Sequence, residues 1–303
     1  MGSILDVCLP GTGGVVPRED RWLACCWLEY KGKAILIDCG EGTQIALKKS
    51  GCKLSHLSIL LITHFHADHI AGLPGLLLTL GNSGRKTPLI IIGPKGLEKV
   101  VQSLTVIAPI LPYVVKIHEL EEDKEEEWNM DELTISHLSL SHGVPCYGYG
   151  ITVKRKPVFN PQKACELGVP KTAFKMLHEG LTVRLEDGRT IEPETVIDEK
   201  RDPIRVCYFT DTKMVKTMKD FAYGADLLIS EGMYGEENKL DEMLKKGHML
   251  FSHSAQLAKD AVVKRLWITH YSPALTKPER YIENAREIFS DTTLGYDGIR
   301  VTL

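Results

Sequence analysis

The sequence predicts an α/β protein whose β-sheets are covered by helices. Short β-type runs recur along the chain, helical stretches interrupt them, and Gly and Pro punctuate the junctions. The first half is the richer in strands. Residues 4–9, 22–30, 34–38, 58–62, 88–92, 133–140 and 147–153 are apolar or alternating runs of strand length. Helical spacing appears at 43–49 and 73–80. The second half alternates more regularly: 206–209, 226–229 and 265–269 read as strands, and 213–221, 249–262 and 278–289 as helices. No internal repeat is visible. Residues 119–127 are an acidic run broken only by Leu120 and Lys124, which reads as a solvated connection. The segment at about 154–201 differs in character. It opens with Lys154-Arg155-Lys156-Pro157 and carries Asp187-Gly188 between two β-type runs, a hairpin signal. It reads as an insertion on the main body.

Composition narrows the class. The 303 residues carry 37 basic and 40 acidic side chains, a net charge of −3, with 43% hydrophobic residues. Length alone suggests two domains, at roughly 150 residues each. Ordinary apolar content and modest charge exclude a disordered chain. Eight Cys in 303 residues are too sparse for a disulfide scaffold. They form no C-x-x-C and mostly lie in apolar runs, as expected for reduced, buried thiols. The longest apolar stretches, near 57–62 and 73–80, are far short of the ~18–20 residues that span a bilayer. The N-terminus lacks a secretory pattern, and Asp6 stands where a myristoylation motif has Ser or Thr. A cytoplasmic protein without a membrane partner is expected.

The strongest feature is Thr63-His64-Phe65-His66-Ala67-Asp68-His69, directly after the apolar run 59–62. A strand delivers four ligand-capable side chains to one loop. In extended backbone His64 and His66 point the same way, because side chains alternate with period two. Asp68 and His69 follow as the chain turns into a helix and can face a second point. Imidazole and carboxylate are the ligands of catalytic zinc, and manganese and iron accept them too. Three further candidates end β-type runs, each after a small hydroxyl residue: His142, Asp211 and His270. His56, His118, His137 and His178 lack such neighbours and read as structural or surface residues.

H-x-H-x-D-H followed by His, Asp and His in this order resembles the metallo-β-lactamase superfamily of hydrolases. Gly11-Thr12-Gly13-Gly14 and Asp38-Cys39-Gly40-Glu41-Gly42-Thr43-Gln44 are similar to its tRNA 3′-processing branch, the ribonuclease Z family. The resemblance covers nearly the whole chain. It implies an αββα sandwich, with two mixed sheets face to face, helices outside and two Zn2+ at one sheet edge. Mn2+ or Fe2+ would suit the same ligands. His64, His66 and His142 would bind one ion, Asp68, His69 and His270 the other, and Asp211 would bridge them. The implied activity is removal of the 3′ trailer of precursor tRNA, by metal-activated hydroxide attack on phosphorus. Another hydrolase of the superfamily, acting on a small phosphodiester, thioester, lactone or sulfate, is the alternative.

Asp68 resembles the family's general base. Two histidines compete as proton donor to the leaving oxygen. Ser252-His253-Ser254 resembles the family's motif in composition, whereas His248 would start the helix 249–262 at full length. His248, supported by Glu231, is preferred. The insertion resembles the arm with which the family grips tRNA. Lys154, Arg155, Lys156, Lys163, Lys171 and Lys175 face only Glu166 between 154 and 175, so phosphate contacts are expected there, from Lys154, Arg155, Lys156, Lys171 and Lys175 above all. The early loop keeps Arg21 but not the family's following Asn, and the arm lacks its usual Gly-Pro after Pro170. The resemblance also implies a homodimer.

Overall fold

The computed structural model describes residues 5–108, 110–121, 124, 126–155, 157–199 and 201–303. Lys156, one of the expected phosphate contacts, and Ile4, at the head of the first expected strand, lie outside the described residues.

The chain opens with an antiparallel meander, β1 (Leu5–Gly11), β2 (Cys25–Tyr30) and β3 (Lys33–Ile37). Lys31 and Gly32 join β2 to β3, both with positive φ, the backbone that a tight hairpin requires. Helix α1 (Thr43–Lys49) leads to β4 (Leu57–Leu61). Helices α2 (Ala67–Ile70) and α3 (Leu73–Asn82) lead to β5 (Leu89–Pro94), and α4 (Leu97–Leu104) to β6 (Val115–Leu120). Strands β3 to β6 are parallel neighbours.

A second meander follows: β7 (Glu127–Met130), β8 (Leu133–Leu140) and β9 (Cys146–Val153). The segment after it contains β10 (Val158–Phe159), α5 (Pro161–Glu166), α6 (Phe174–His178), β11 (Val183–Arg184), β12 (Thr190–Ile191) and β13 (Ile197–Glu199). It closes on its own small cluster of Ala164, Val169, Leu177, Val183, Ile191 and Val196. The chain returns through β14 (Ile204–Phe209), α7 (Thr217–Phe221), β15 (Leu227–Glu231), α8 (Leu240–Lys246), α9 (Phe251–Asp260), β16 (Leu266–Thr269), α10 (Ile282–Arg286), β17 (Thr292–Leu294) and β18 (Ile299–Thr302).

Two seven-stranded mixed sheets result, ordered β18-β1-β2-β3-β4-β5-β6 and β17-β16-β15-β14-β9-β8-β7. Leu5, Val7 and Leu9 of β1 share one buried cluster with Leu133, Ile135, Tyr149 and Val206, which is the seam between the sheets. Cys8 and Trp27 face the other way, into a cluster with Leu47, Leu76 and Leu97 from α1, α3 and α4. On the second sheet Cys207 and Phe209 likewise meet Met218, Phe251 and Ala285 from α7, α9 and α10. Period-two alternation thus gives each sheet one face to its partner and one to helices, the four-layer αββα arrangement. This is the metallo-β-lactamase fold.

Although no sequence repeat is visible, the topology repeats. In each sheet a three-stranded meander passes into parallel strands. The structure also corrects several element boundaries. The helix expected at 213–221 begins at Thr217, because Lys213 bridges Ser141 instead. The helix expected at 249–262 begins at Phe251, because Leu250 pairs with Tyr234. The expected helix 278–289 is a turn of 3-10 helix followed by α10. Residues 119–127 are not all connection: Glu119 and Leu120 close β6, and Glu127 opens β7. The Asp187-Gly188 hairpin joins β11 to β12 as expected. Seven cysteines are buried and Cys165 is exposed.

Candidate metal centre

The site forms where parallel strands of both sheets end, the crevice at which open α/β sheets bind ligands. Asp38 follows β3, His64 follows β4, Glu231 ends β15, Asp211 follows β14 and His270 follows β16. Asp38, Asp211 and His270 have φ of 64°, 52° and 59°. The left-handed backbone turns each side chain back across the strand ends. Gly14 lets the early loop reach them: a Cβ there would lie 2.7 Å from the His270 ring. Gly40 does the same for the segment after β4, since a Cβ would lie 2.1 Å from the Asp68 carbonyl oxygen.

Two ligand groups converge. His64 Nε2 and His142 Nε2 lie 3.0 and 3.2 Å from His66 Nδ1. His69 Nε2 and His270 Nε2 lie 3.4 and 3.6 Å from Asp68 Oδ2. Asp211 faces both: Oδ2 is 3.0 Å from His69 and 3.1 Å from His270, and Oδ1 is 3.8 Å from His142. The structure therefore brings together all seven expected ligand positions. His69 Nε2, Asp211 Oδ2 and His270 Nε2 are buried yet have no hydrogen-bond partner. Buried polar atoms left so are costly unless something else occupies their lone pairs. Two nitrogens and a carboxylate oxygen converging within about 3 Å fit a divalent cation.

Electrostatics agree with that fit. Burial, and then His69, hold the His64 imidazole down to about 2, so it is neutral. Burial alone would raise Asp211, but His270 and His69 outweigh it and keep the carboxylate ionised. Asp68 is ionised in the same way, against its burial, chiefly by His270 and His69. Burial would lower His69, yet Asp211 and Asp38 outweigh it, so the flanking carboxylates draw a positive charge to that point, which a metal ion on the neutral ring would supply in place of a proton.

A supporting layer orients the ligands. Asp38, fully buried, accepts from His69 Nδ1 at 2.7 Å and from the Thr63 backbone N–H at 2.8 Å. Thr63 Oγ1 bonds the same carboxylate and lies 3.1 Å from His64 Nδ1. The Gly247 carbonyl accepts from His142 Nδ1 at 3.2 Å. The Val15 N–H donates to Asp68 Oδ2 at 2.7 Å. Such partners fix the ring and tautomer presented to a metal. Sequence reasoning missed Asp38 as a site residue. Its signal was present: an Asp closing an apolar strand, the same pattern as Asp211 and His270.

The two competing histidines separate clearly. His248 lies before α9, with Nδ1 3.0 Å from Glu231 Oε2 and 3.8 Å from Asp211 Oδ1. Glu231 is fully buried, and its other oxygen accepts from the Thr212 N–H at 2.6 Å. Burial opposes a charge on His248, but Glu231 outweighs it and raises the imidazole. His253 sits in the first turn of α9, half-buried and outside every ligand cluster among the described residues. Burial lowers it. The remaining four histidines are placed as structural or surface residues: His56 meets Glu29 at 2.7 Å, His118 meets Glu126 at 2.9 Å, His137 packs edge-on to Tyr147, and His178 is exposed beside Phe159.

Of the expected phosphate contacts, Lys154 and Arg155 follow the end of β9 opposite Cys146, whose Sγ lies 3.9 Å from His64 Nδ1. Lys163 pairs with Asp198 at 3.0 Å and Lys175 with Glu179 at 3.8 Å. Arg155 donates to the Asp202 carbonyl at 2.6 Å. Lys154 and Lys171 have no ion-pair partner among the described residues.

Comparison with known proteins places this geometry. The Metallo-beta-lactamase superfamily model matches residues 24–153. A ribonuclease Z of Lachnospira eligens is 45% identical over 99% of this chain and 98% of its own. One of Agathobacter rectalis is 46% identical over the same shares, and one of Clostridium kluyveri is 44% identical over 97% of each chain. Among solved structures, human tRNase Z, short form, is similar with a TM-score of 0.69 at 24% identity, covering 98% of each chain. The metallo-beta-lactamase fold protein YhfI of Bacillus subtilis has a TM-score of 0.71 at 20% identity, over 99% of this chain and 100% of that one. At these identities the structural likeness is one of fold.

Proposed function

Because the chain belongs to the ribonuclease Z family of the metallo-β-lactamase superfamily, we propose that it removes the 3′ trailer of precursor tRNA endonucleolytically, leaving a 3′-hydroxyl. The observation that carries the reading is one cluster holding seven ligand-type side chains beside a buried His–Glu pair. His64, His66 and His142 would hold one Zn2+, Asp68, His69 and His270 a second, with Asp211 between them. Such ions acidify a bound water and neutralise charge on phosphate oxygens.

The chain's own groups do the rest. Asp68, 12% exposed, is the carboxylate of the cluster that water reaches most readily, and it orients the attacking water. The Val15 N–H fixes one of its oxygens. His248 donates the proton to the departing sugar oxygen, and Glu231 anchors its Nδ1 so that Nε2 is left for that task. The segment 154–201 serves as an arm on a single domain and meets the tRNA through Lys154, Arg155, Lys156, Lys171 and Lys175.

The protein acts in the cytoplasm as a homodimer. Val106, Ile107, Ile110 and Val114 form an exposed apolar stretch after α4, the kind of surface a second copy covers. Among the described residues no helix is long and apolar enough to cross a membrane.

Incubation of the zinc-loaded protein with a precursor tRNA is expected to give one cut near the discriminator base. Absence of that cut, with a small aryl phosphodiester still hydrolysed, would refute the tRNA substrate and leave a general phosphodiesterase.

A further inference from the structure

The loop of residues 12–22 reaches the candidate metal centre, and its tip touches one ligand: the Val15 N–H donates to Asp68 Oδ2 at 2.7 Å. Val15 has a φ of 69°, and Val15 and Val16 are 55% and 50% exposed. A β-branched residue is disfavoured in this left-handed backbone, and the tip buries little apolar surface. Its own packing therefore does not hold that N–H in place. The base of the loop must do so.

One carboxylate from the other end of the chain grips that base. Asp297 Oδ1 accepts from the Thr12 hydroxyl at 2.8 Å, and Oδ2 accepts from the Trp22 N–H at 2.6 Å. Thr12 and Trp22 are the two ends of the loop, and the Trp22 carbonyl accepts from the Thr12 and Gly13 N–H groups at 3.0 and 2.8 Å. The turn that carries Asp297 is itself fixed on both sides. The Gly295 N–H donates to the Ile268 carbonyl of β16 at 2.8 Å, and the Gly298 N–H to the Leu9 carbonyl of β1 at 2.7 Å. Arg18 and Arg21 also hold the loop, through the Pro273 and Leu275 carbonyls at 2.8 and 3.1 Å. Asp297 is the side chain that, among the described residues, bonds both ends of the loop. An ionised acceptor also makes the stronger bonds.

We infer that Asp297 is a positioning residue for the metal centre. By fixing both ends of the loop it keeps the Val15 N–H on Asp68, and so keeps the Asp68 carboxylate turned toward the ion it would share with His69 and His270. This rests on the metal ligands assigned under the proposed function.

The test is zinc affinity, read on the full-length protein by competition with a chelating dye, and it needs no RNA. Asp297→Ala is expected to weaken zinc binding about ten-fold, the low end for loss of a group that supports a ligand. Asp297→Asn should stay within about two-fold of wild type, because its amide oxygen accepts from the Trp22 N–H while its NH2 donates to the Thr12 hydroxyl, which can accept as well as donate. In an Asp68→Ala background, Asp297→Ala should change zinc affinity by less than about two-fold, because the link it acts through is already cut. A merely structural role would weaken binding in both backgrounds. Should Asp297→Ala not fold, Thr12→Val removes one of the two bonds and is expected to give a smaller loss, again absent beside Asp68→Ala. Equal losses in the two backgrounds, or none in either, would overturn the inference. Failure of the metal assignment looks different: Asp68→Ala alone would leave zinc affinity unchanged, and the inference would fall with it.

Discussion

Replacing His248 with Ala tests the division of labour at the site. His248 contributes no more than a neighbour to the metal ligands, but its Nδ1 is fixed 3.0 Å from the buried Glu231 carboxylate. A sugar oxygen departs poorly without a proton, and a positioned donor accelerates such a step by about 10²–10⁴-fold. At about 1.36 kcal/mol per decade that is roughly 3–5 kcal/mol of barrier. The loss is therefore expected to be about 10²–10⁴-fold on precursor tRNA, read as single-turnover cleavage. On an activated aryl phosphodiester, whose leaving group needs no proton, it should stay within about ten-fold. Ala also leaves Glu231 buried without its partner, which costs about 1–3 kcal/mol of stability. His248→Asn, which can still donate to Glu231, separates that effect, and thermal melting reports it. His253→Ala, remote from the cluster, should change neither rate by more than about two-fold. Equal losses on both substrates with His248→Ala would refute the proton-donor role.

Other outcomes follow from the same geometry. Asp68→Ala should abolish hydrolysis of both substrates while far-ultraviolet circular dichroism stays that of the wild type. Asp38→Ala frees the His69 ring and should weaken zinc affinity about 10–100-fold in a competition titration with a chelating dye. Chelation should lower Tm, since a cation held at 100 times its Kd contributes about 2.7 kcal/mol to the folded state. Ile107→Glu/Ile110→Glu places charge on the exposed apolar stretch and should give a monomer by light scattering.

The sandwich and the ligands were legible for the same reason. Apolar runs mark parallel strands, and ligand-capable residues at their ends mark the crevice. What stayed hidden depends on contacts distant in sequence. The start of α9 is set by Leu250 pairing with Tyr234, and that of α7 by Lys213 bridging Ser141. Neither appears in local periodicity. Strands β17 and β18 are short and pair with strands already in place, so their own composition says little. Asp38 was quoted within a motif, but only its bond to His69 identifies its role. The basic residues of the 154–175 window counted as free charge in one dimension, yet Lys163 and Lys175 meet acids from outside that window.

The positive φ at Asp38, Asp211 and His270 restricts substitution in a way that charge alone does not. Among residues other than Gly, the ones that tolerate this backbone best are Asn, Asp and His. Of these only Asp and His are strong cation ligands or partners of ligand imidazoles. Two independent demands, one on the backbone and one on the donor atom, therefore select the same pair of side chains. A change that is conservative in charge is not conservative here. Asp211→Glu keeps the carboxylate but adds a methylene on a backbone that disfavours it, whereas Asp211→His meets the backbone demand with a different donor. Viable variation at these three strand ends is expected to be confined to exchanges between aspartate and histidine.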